Sequence, residues 1–326
     1  MPSVSIIIPA YNAEETILET IHSVREQTYQ DFEILVIDDG SKDRTVEIVK
    51  EVDDPRIKVF TYPNGGVSVA RNRGIERSTG EFLAFIDNDD LWTPDKLELQ
   101  LHALDKNKDA DAIYSWSVNM VDDGESRIFV SGSQPTATGN IYAELLLGNF
   151  IGNGSNILVR RKVIDEIGGY EPGLSFSDWD FCLRTAAKFQ FAAVPKVQIL
   201  YRRASGSMSS QVDAMEKAGL RALERNFASA PENYQHLKSK SLAFHYRYCA
   251  DLALHHDSSM AEIKYAQSNL WKAIRLFPGL IFEGYAQKLI VKSIINRLLP
   301  RQLSRTLIQS FKTMFSQQDP RDASSS

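Results

Sequence analysis

The feature that most constrains the fold is a pattern repeated through the first 90 residues, in which a short apolar segment ends in polar residues and a helical stretch follows. Strands are predicted at residues 4–8, 32–37, 57–60 and 81–86. Apolar segments of this length are typical of strands that are buried on both faces. Repeated strand–helix units predict a largely parallel sheet with right-handed crossovers.

Helical spacing is clearest between these strands. A helix is predicted to begin at Asn12, and Glu15, three residues later, has the spacing of a capping box. Further helices are predicted at residues 45–52 and 67–77.

The character of the chain changes near residue 211. Before it, strands are predicted at residues 112–118, 127–130, 156–159 and 197–201, and a helix is predicted to begin near Asp178. Beyond it the pattern is helical with little strand signal. The sequence therefore predicts an α/β domain over residues 1–210 and a C-terminal helical extension over residues 211–326.

Cysteine content and apolar segments indicate the compartment. Only two cysteines, Cys182 and Cys249, are present, so we expect a reducing, cytoplasmic setting. Residues 1–10 lack the basic and apolar regions of a signal peptide. No uninterrupted apolar stretch approaches the roughly 18 residues that span a bilayer. Any membrane contact is therefore expected to be peripheral, on the inner face.

Polar residues follow three of the predicted strands, in segments that read PAYN (9–12), DDGS (38–41) and DNDD (87–90). The carboxyl ends of parallel strands form one edge, where ligands of open α/β sheets bind. Carboxylates gathered there repel each other unless a cation or hydrogen-bond donors lie between them. Mg²⁺ or Mn²⁺ bound together with a diphosphate would offset this repulsion, because both metals prefer oxygen ligands.

Two other classes of ligand are excluded. A dinucleotide site needs a G-x-G-x-x-G turn after the first strand, whereas residues 9–14 read PAYNAE, and the P-loop pattern is absent. A net charge of −5 gives no electrostatic reason to bind nucleic acid.

Five motifs in order give the chain a family resemblance: PAYN (9–12), VIDDGSKDRT (36–45), NGGVSVARNRG (64–74), FIDNDD (85–90) and SDWDFCLR (177–184). Over about residues 1–205 the chain resembles the family-two inverting glycosyltransferases. The resemblance implies the GT-A fold, a Rossmann-like mixed sheet. It also implies a nucleotide-binding part at residues 1–110 and an acceptor-binding part at residues 111–210.

The resemblance implies a set of donor-binding residues. Pro9 and Tyr11 would flank the nucleobase, and Asp39 would accept a hydrogen bond from the uracil imide N–H. The alternative for Asp39 is a turn or cap residue. Asn64 and Arg71 would lie near the base and the diphosphate, since the arginine fork donates two bonds to phosphate oxygens.

Asp87, Asn88 and Asp89 match the D-x-D element of the family. Asp89 is the predicted ligand of Mn²⁺ or Mg²⁺, Asp87 is predicted near the ribose or the metal, and Asn88 belongs to the donor site. Asp90 is interpreted as the cap of a helix near residues 93–94.

Asp178 matches the family's general base, which accepts the proton of the acceptor hydroxyl group. The family usually has Glu where this chain has Ser177. Arg202 and Ser207 match positions that touch the diphosphate, whereas Ala204 replaces a His that relatives often carry.

Four charged residues are assigned to structure. Glu15 is interpreted as a capping-box residue, Arg73 and Arg77 as solvated helix residues, and Asp180 as a packing residue.

Residues 271–313 carry eight lysines or arginines against one acid, Glu283, which gives this stretch a charge of +7. Apolar residues are interleaved with them. A basic amphipathic helix of this kind often lies on an anionic membrane. The other interpretation is a helix packed on the catalytic domain with a solvated basic face.

The sequence therefore predicts a metal-dependent inverting glycosyltransferase. Its donor would be a nucleotide-diphosphate sugar, a UDP-sugar first of all, and its acceptor a hydroxyl group of a glycan or lipid-linked intermediate in polysaccharide or glycoconjugate synthesis. The alternative is a non-catalytic nucleotide-sugar-binding scaffold that acts through its helical tail.

Overall fold

A computed structural model describes residues 2–122, 127–132, 134–174, 176–203, 212–254 and 259–299. The chain divides into two compact units. The first comprises Met1–Ser209 and Lys217–Leu237, and the second comprises Ser210–Glu216 and Lys238–Ser326. The functional division predicted at residue 210 stays a prediction. The two units are defined by which residues contact each other, and this does not test what each unit does.

The first unit contains a mixed sheet. The strands are β1 Val4–Ala10, β2 Phe32–Asp38, β3 Ile57–Thr61, β4 Phe82–Phe85, β5 Leu91–Trp92, β6 Ala110–Asp122, β7 Arg127–Ser131, β8 Leu158–Arg160 and β9 Gln190–Arg202. Their order is β3-β2-β1-β4-β8-β6-β9-β5, and β7 pairs with β6. β1, β2, β3 and β4 are mutually parallel, whereas β8 runs antiparallel to β4. The predicted mixed α/β fold is confirmed.

Helices cover the sheet and continue beyond it. They are α1 Ile17–Arg25, α2 Thr45–Lys50, α3 Val67–Arg77, α4 Lys96–Lys106, α5 Tyr142–Leu147, α6 Arg161–Ile167, α7 Ser177–Ala186, α8 Val212–Ser229, α9 Glu232–Gln235, α10 Lys238–Ala253, α11 Met260–Leu276 and α12 Gly284–Leu298. A 3-10 helix, Pro278–Phe282, precedes α12. Every residue of β1 and β2 is buried, as expected for strands with helices on both faces.

The predicted start of the first helix is wrong. α1 begins at Ile17, and its N-cap residue, Thr16, makes no side-chain capping bond, so Asn12 and Glu15 do not form a capping box. Asn12 has a left-handed φ of 48°, and its side-chain oxygen accepts a hydrogen bond of 2.8 Å from Lys42 N. Asparagine tolerates this conformation and bonds backbone groups locally. Here it joins the loops after β1 and β2.

Strands β6 and β9 are longer than predicted, at 13 residues each. The pairing shifts register between Ser115 and Trp116, whose partners are Val194 and Val197. The shift leaves Pro195 outside the pairing, which removes the conflict between proline and a ladder hydrogen bond. The predicted strand began only after this proline.

Candidate active site

Three strand ends meet as predicted. Ala10 pairs with Asp38 at the ends of β1 and β2, and Asp39 N donates a hydrogen bond of 2.8 Å to Ala10 O. Beyond β4, the Asn88 side chain donates a hydrogen bond of 2.9 Å to Pro9 O. The polar segments after β1, β2 and β4 therefore form one edge.

Asp39 organises the glycine-rich loop before α3. Its Oδ1 accepts bonds from Gly65 N (2.9 Å) and Arg73 Nη1 (3.0 Å), and its Oδ2 accepts one from Gly66 N (2.7 Å). Asn64 Nδ2 donates to the Asp39 carbonyl oxygen at 3.0 Å. Since a carboxylate offers about four acceptor positions, Oδ2 keeps one for a ligand N–H.

The interpretation of Arg73 as a solvated residue is wrong. Arg73 is only partly exposed, and the exposed residues of α3 come after it. Arg73 forms an ion pair with the buried Asp39, whereas Arg77 is exposed and bonds to Tyr62 Oη at 3.1 Å. Pro9 is buried in β1, and Tyr11, next to it, exposes 49% of its surface. Nucleobase contacts of Pro9, Tyr11 and Asp39 stay predictions.

The sequence suggested that Asp90 caps a helix, but this interpretation is wrong. Asp90 is fully buried, and its carboxylate accepts hydrogen bonds from Ser155 Oγ (2.5 Å) and Arg202 N (2.9 Å). The N-cap residue of α4 is Asp95. Asp90 therefore fixes the acidic segment against β9 and against the loop that contains Ser155.

Asp89 and Asp87 remain as carboxylates that a ligand can reach, since both are only partly buried. Burial, and then the negative charge of Asp87, raise the pKa of Asp89 to about 6. One oxygen of Asp87 accepts a hydrogen bond of 2.5 Å from Arg71 Nη2.

Arg71 lies at the centre of the site. Its guanidinium is buried, lies 4.9 Å from the centre of the Tyr170 ring, and has an Nε atom without a hydrogen-bond partner among the described residues. A Cβ atom at Gly154 would collide with its Nη2. The guanidinium therefore occupies space that only glycine leaves free.

Asp178 lies in the first turn of α7, facing the same arginine. Burial raises its pKa, and the positive charge of Arg71 and the N–H of Trp179 oppose that rise. Asn149 Nδ2 lies 3.4 Å from Asp178 Oδ2. Asp180, two residues on, is confirmed as a packing residue, because it bonds Arg184 at 2.8 Å and Asn226 at 3.1 Å.

Arg202 lies at the end of β9, and its side chain has protein partners. It bonds Asp89 O at 2.8 Å and forms ion pairs with Glu19 and Asp122. Contact of Arg202 with a diphosphate stays a prediction. Ser207 and Ala204 lie outside the described residues.

The donor set fits a hard divalent cation that takes further ligands from a substrate. Asp89 and Asp87 supply carboxylate oxygens, and within the described ranges no three His, Cys, Asp or Glu side chains converge in a metal-binding arrangement. Mg²⁺ characteristically uses one or two carboxylates together with substrate phosphates. Two partly buried carboxylates, one of them paired with Arg71, match that use.

The loop between α5 and β8 also shapes the site, although the sequence motifs did not predict this. Ser155 Oγ accepts a hydrogen bond of 2.9 Å from Asp87 N while it donates to Asp90. In the same loop, Asn149 lies beside Asp178, and Gly154 lies against Arg71. The signal for this loop was the run GNFIGNGSN (148–156), whose glycines and asparagines indicate a shaped loop.

Known proteins resemble this chain in sequence and in fold. The profile of "Glycosyl transferase family 2" matches residues 5–168. The amylovoran biosynthesis glycosyltransferase AmsB of Erwinia amylovora is 34% identical over 59% of this chain and 68% of AmsB. The Escherichia coli enzyme WfgD, a UDP-Glc:alpha-D-GlcNAc-diphosphoundecaprenol beta-1,3-glucosyltransferase, is 48% identical over 32% of this chain and 42% of WfgD.

These matches are partial in length. Among curated relatives, the aligned part ranges from 17% to 74% of the relative's own length. The structure of S. aureus TarS 1–349 in complex with UDP-GlcNAc superposes with a TM-score of 0.61 at 19% identity, over 95% of this chain and 92% of that one. This likeness shows that the fold is the GT-A fold of such glycosyltransferases.

Proposed function

This chain belongs to glycosyl transferase family 2, and from that premise we propose that it transfers a sugar from a UDP-sugar to an acceptor hydroxyl group with inversion. One observation carries the proposal. Asp87, after β4, and Asp178, in α7, both face the buried Arg71 of α3. A predicted donor-side carboxylate and a predicted base thus lie around one cation, as transfer between two substrates requires.

The donor's base and ribose would lie at the ends of β1 and β2. The free acceptor position of Asp39 Oδ2 suits the imide N–H of uracil, and the exposed ring of Tyr11 offers a stacking surface. The names of two similar proteins point the same way, since WfgD uses UDP-Glc and TarS binds UDP-GlcNAc.

The donor's diphosphate would lie between Asp89 and the two arginines. Asp89 and Asp87 would hold Mn²⁺ or Mg²⁺, which when bound offsets the negative charge that develops on the leaving diphosphate. Arg71 contributes a buried positive charge beside Asp87, and Arg202 is fixed beside the Asp89 carbonyl oxygen. Both guanidinium groups bind phosphate oxygens well because they are planar donors.

Asp178 would take the proton of the acceptor hydroxyl group as that oxygen attacks the anomeric carbon. Burial raises its pKa, so the ionised carboxylate is a stronger base than an exposed aspartate. The positive charge of Arg71 keeps the ionised form accessible. The Asn149 amide, 3.4 Å away, holds one carboxylate oxygen and leaves the other for the hydroxyl group.

The acceptor would be a glycan or a lipid-linked sugar, in polysaccharide synthesis. AmsB is named for amylovoran biosynthesis, and the name of WfgD gives a diphosphoundecaprenol acceptor. An acceptor of the second kind lies at a membrane surface, so the protein would need to reach that surface.

The helical tail has a face suited to such contact. α12 buries Ala286, Leu289 and Ser293, whereas Val291, Ile294 and Leu298 are exposed by 43%, 46% and 73%. This helix carries three basic residues and no acid. No helix in the described part of the chain is long and apolar enough to cross a bilayer. The proposal therefore includes peripheral contact of residues 271–313 with an anionic membrane.

The direct test combines binding with turnover. UDP and UDP-sugars should raise the melting temperature of the protein in the presence of Mn²⁺ or Mg²⁺, because a bound ligand stabilises the native state. One of those donors should then be consumed, slowly by water or faster with an acceptor glycan. Binding without consumption of any donor would favour the non-catalytic scaffold, and no nucleotide binding would refute both functions.

A further inference from the structure

Four charged side chains close a ring beside the acidic segment. The ring, called the charge ring below, consists of Glu19 in α1, Asp122 at the end of β6, Arg127 at the start of β7 and Arg202 at the end of β9. Glu19 Oε2 lies 2.6 Å from Arg202 Nη2, and its other oxygen pairs with Arg127. Asp122 Oδ1 lies 3.1 Å from Arg127 Nε, and its other oxygen pairs with Arg202.

Each carboxylate of the charge ring thus bridges both arginines, one oxygen to each, and the four charges cancel. Burial raises the pKa of Glu19, but the hydrogen bonds and charges of Arg127 and Arg202 outweigh burial and lower it. Arg202 is the least exposed member at 11%, whereas Glu19, Asp122 and Arg127 are exposed by 36%, 38% and 44%.

Arg202 also connects the charge ring to the proposed donor site. Its Nε donates to Asp89 O at 2.8 Å, and its backbone N–H donates to Asp90. Its positive charge opposes the rise in the pKa of Asp89 that burial and Asp87 cause. A diphosphate bound at Asp89 would therefore meet Arg202, whose three nitrogens all have protein acceptors.

We propose that the charge ring sets donor affinity: Glu19 and Asp122 compete with the donor's diphosphate for Arg202, and Arg127 weakens that competition by sharing both carboxylates. When the diphosphate binds, Arg202 exchanges carboxylate oxygens for phosphate oxygens, and Arg127 keeps Glu19 and Asp122 neutralised. This inference rests on the proposed function, because it needs a diphosphate at Asp89. It assigns a role to Glu19, Asp122 and Arg127, none of which touches the donor.

The test measures UDP affinity by calorimetry in variants of the full chain. Glu19→Gln removes one competitor, so the UDP Kd should fall about two- to fivefold, the size expected for one partly exposed ion pair. Arg127→Gln leaves both carboxylates to Arg202, so the Kd should rise by a similar factor. Glu15→Gln, an exposed neighbour outside the charge ring, removes the same charge and should leave the Kd unchanged.

A double-mutant cycle separates competition from a general charge effect. In an Arg202→Gln background, Glu19→Gln should no longer change the UDP Kd. An equal effect of Glu19→Gln with and without Arg202, or a wild-type Kd in Glu19→Gln itself, would overturn the inference while leaving the proposed function standing. Wild-type protein that is folded and binds no UDP would overturn both.

Discussion

Nη2 of Arg71 donates a hydrogen bond of 2.5 Å to Oδ1 of Asp87, so the buried arginine of α3 is paired with the partly exposed first carboxylate after β4. The pair neutralises one of the three acidic side chains gathered between residues 87 and 90. The positive charge of Arg71 also favours the ionised form of Asp178, whereas the negative charge of Asp87 opposes it. Any change that moves the Arg71 guanidinium should therefore impair donor binding and proton transfer together.

Gly154→Ala makes that change without substituting a charged residue. The new Cβ would collide with Arg71 Nη2 and displace the guanidinium from Asp87. We expect kcat/KM to fall at least about tenfold, since a hydrogen bond to a charged group contributes about 1.5–3 kcal/mol. The matched control is Gly148→Ala, where a Cβ meets open space and the backbone is extended. Equal activity in both variants would show that the position of Arg71 is unimportant.

Asp39→Asn tests recognition of the base. The uracil imide N–H needs an acceptor, whereas the matching cytosine nitrogen has no hydrogen and needs a donor, which asparagine supplies. We expect the preference for UDP over CDP to shrink about tenfold or more. Because Asp39 also holds the loop at Gly65 and Gly66, the ratio of the two affinities is the informative quantity.

The control for Asp39→Asn is Asp53→Asn, an exposed residue after α2. It removes the same charge and should leave the ratio of UDP to CDP affinity at the wild-type value. An unchanged ratio in folded Asp39→Asn protein would remove Asp39 from base recognition.

Substituting Ile294 and Leu298 together by Gln tests the tail, because both side chains are exposed and the core of the second unit does not use them. Binding to liposomes that contain anionic lipid should fall markedly, while donor consumption in solution stays the same. Each lysine or arginine near the surface attracts anionic lipid by about 1 kcal/mol, so salt should weaken binding too.

Met260→Gln, which changes a side chain exposed by 50% at the start of α11, should bind liposomes like the wild type. Wild-type protein that stays in solution beside such liposomes at low salt would leave the packed, solvated helix as the surviving interpretation.

The sequence predicted those parts of the fold in which local pattern and packing agree. The predicted helix at 67–77 is α3, Val67–Arg77, and the strand ends that carry Asp39 and Asp87 meet as expected. These predictions worked because apolar periodicity follows directly from which face is buried.

Contacts between distant loops could not be predicted in the same way. Nothing in the pattern around Gly154 indicates that Arg71, 83 positions earlier, would fill the space left by its missing side chain. Likewise, Asp90 has the local spacing of a cap residue, but tertiary bonds to Ser155 and Arg202 N determine its role. A local sequence preference does not determine the role of a buried polar side chain whose hydrogen-bond partners lie far away in the sequence.

The central claim is that Asp178 is the base of a sugar transfer, and Asp178→Asn tests it most directly. The amide keeps the shape of the side chain but cannot accept the proton at neutral pH. Turnover with a UDP-sugar and its acceptor should fall about 100-fold or more, whereas the UDP Kd should equal that of the wild type. Turnover near the wild-type rate in a folded Asp178→Asn protein would contradict the account.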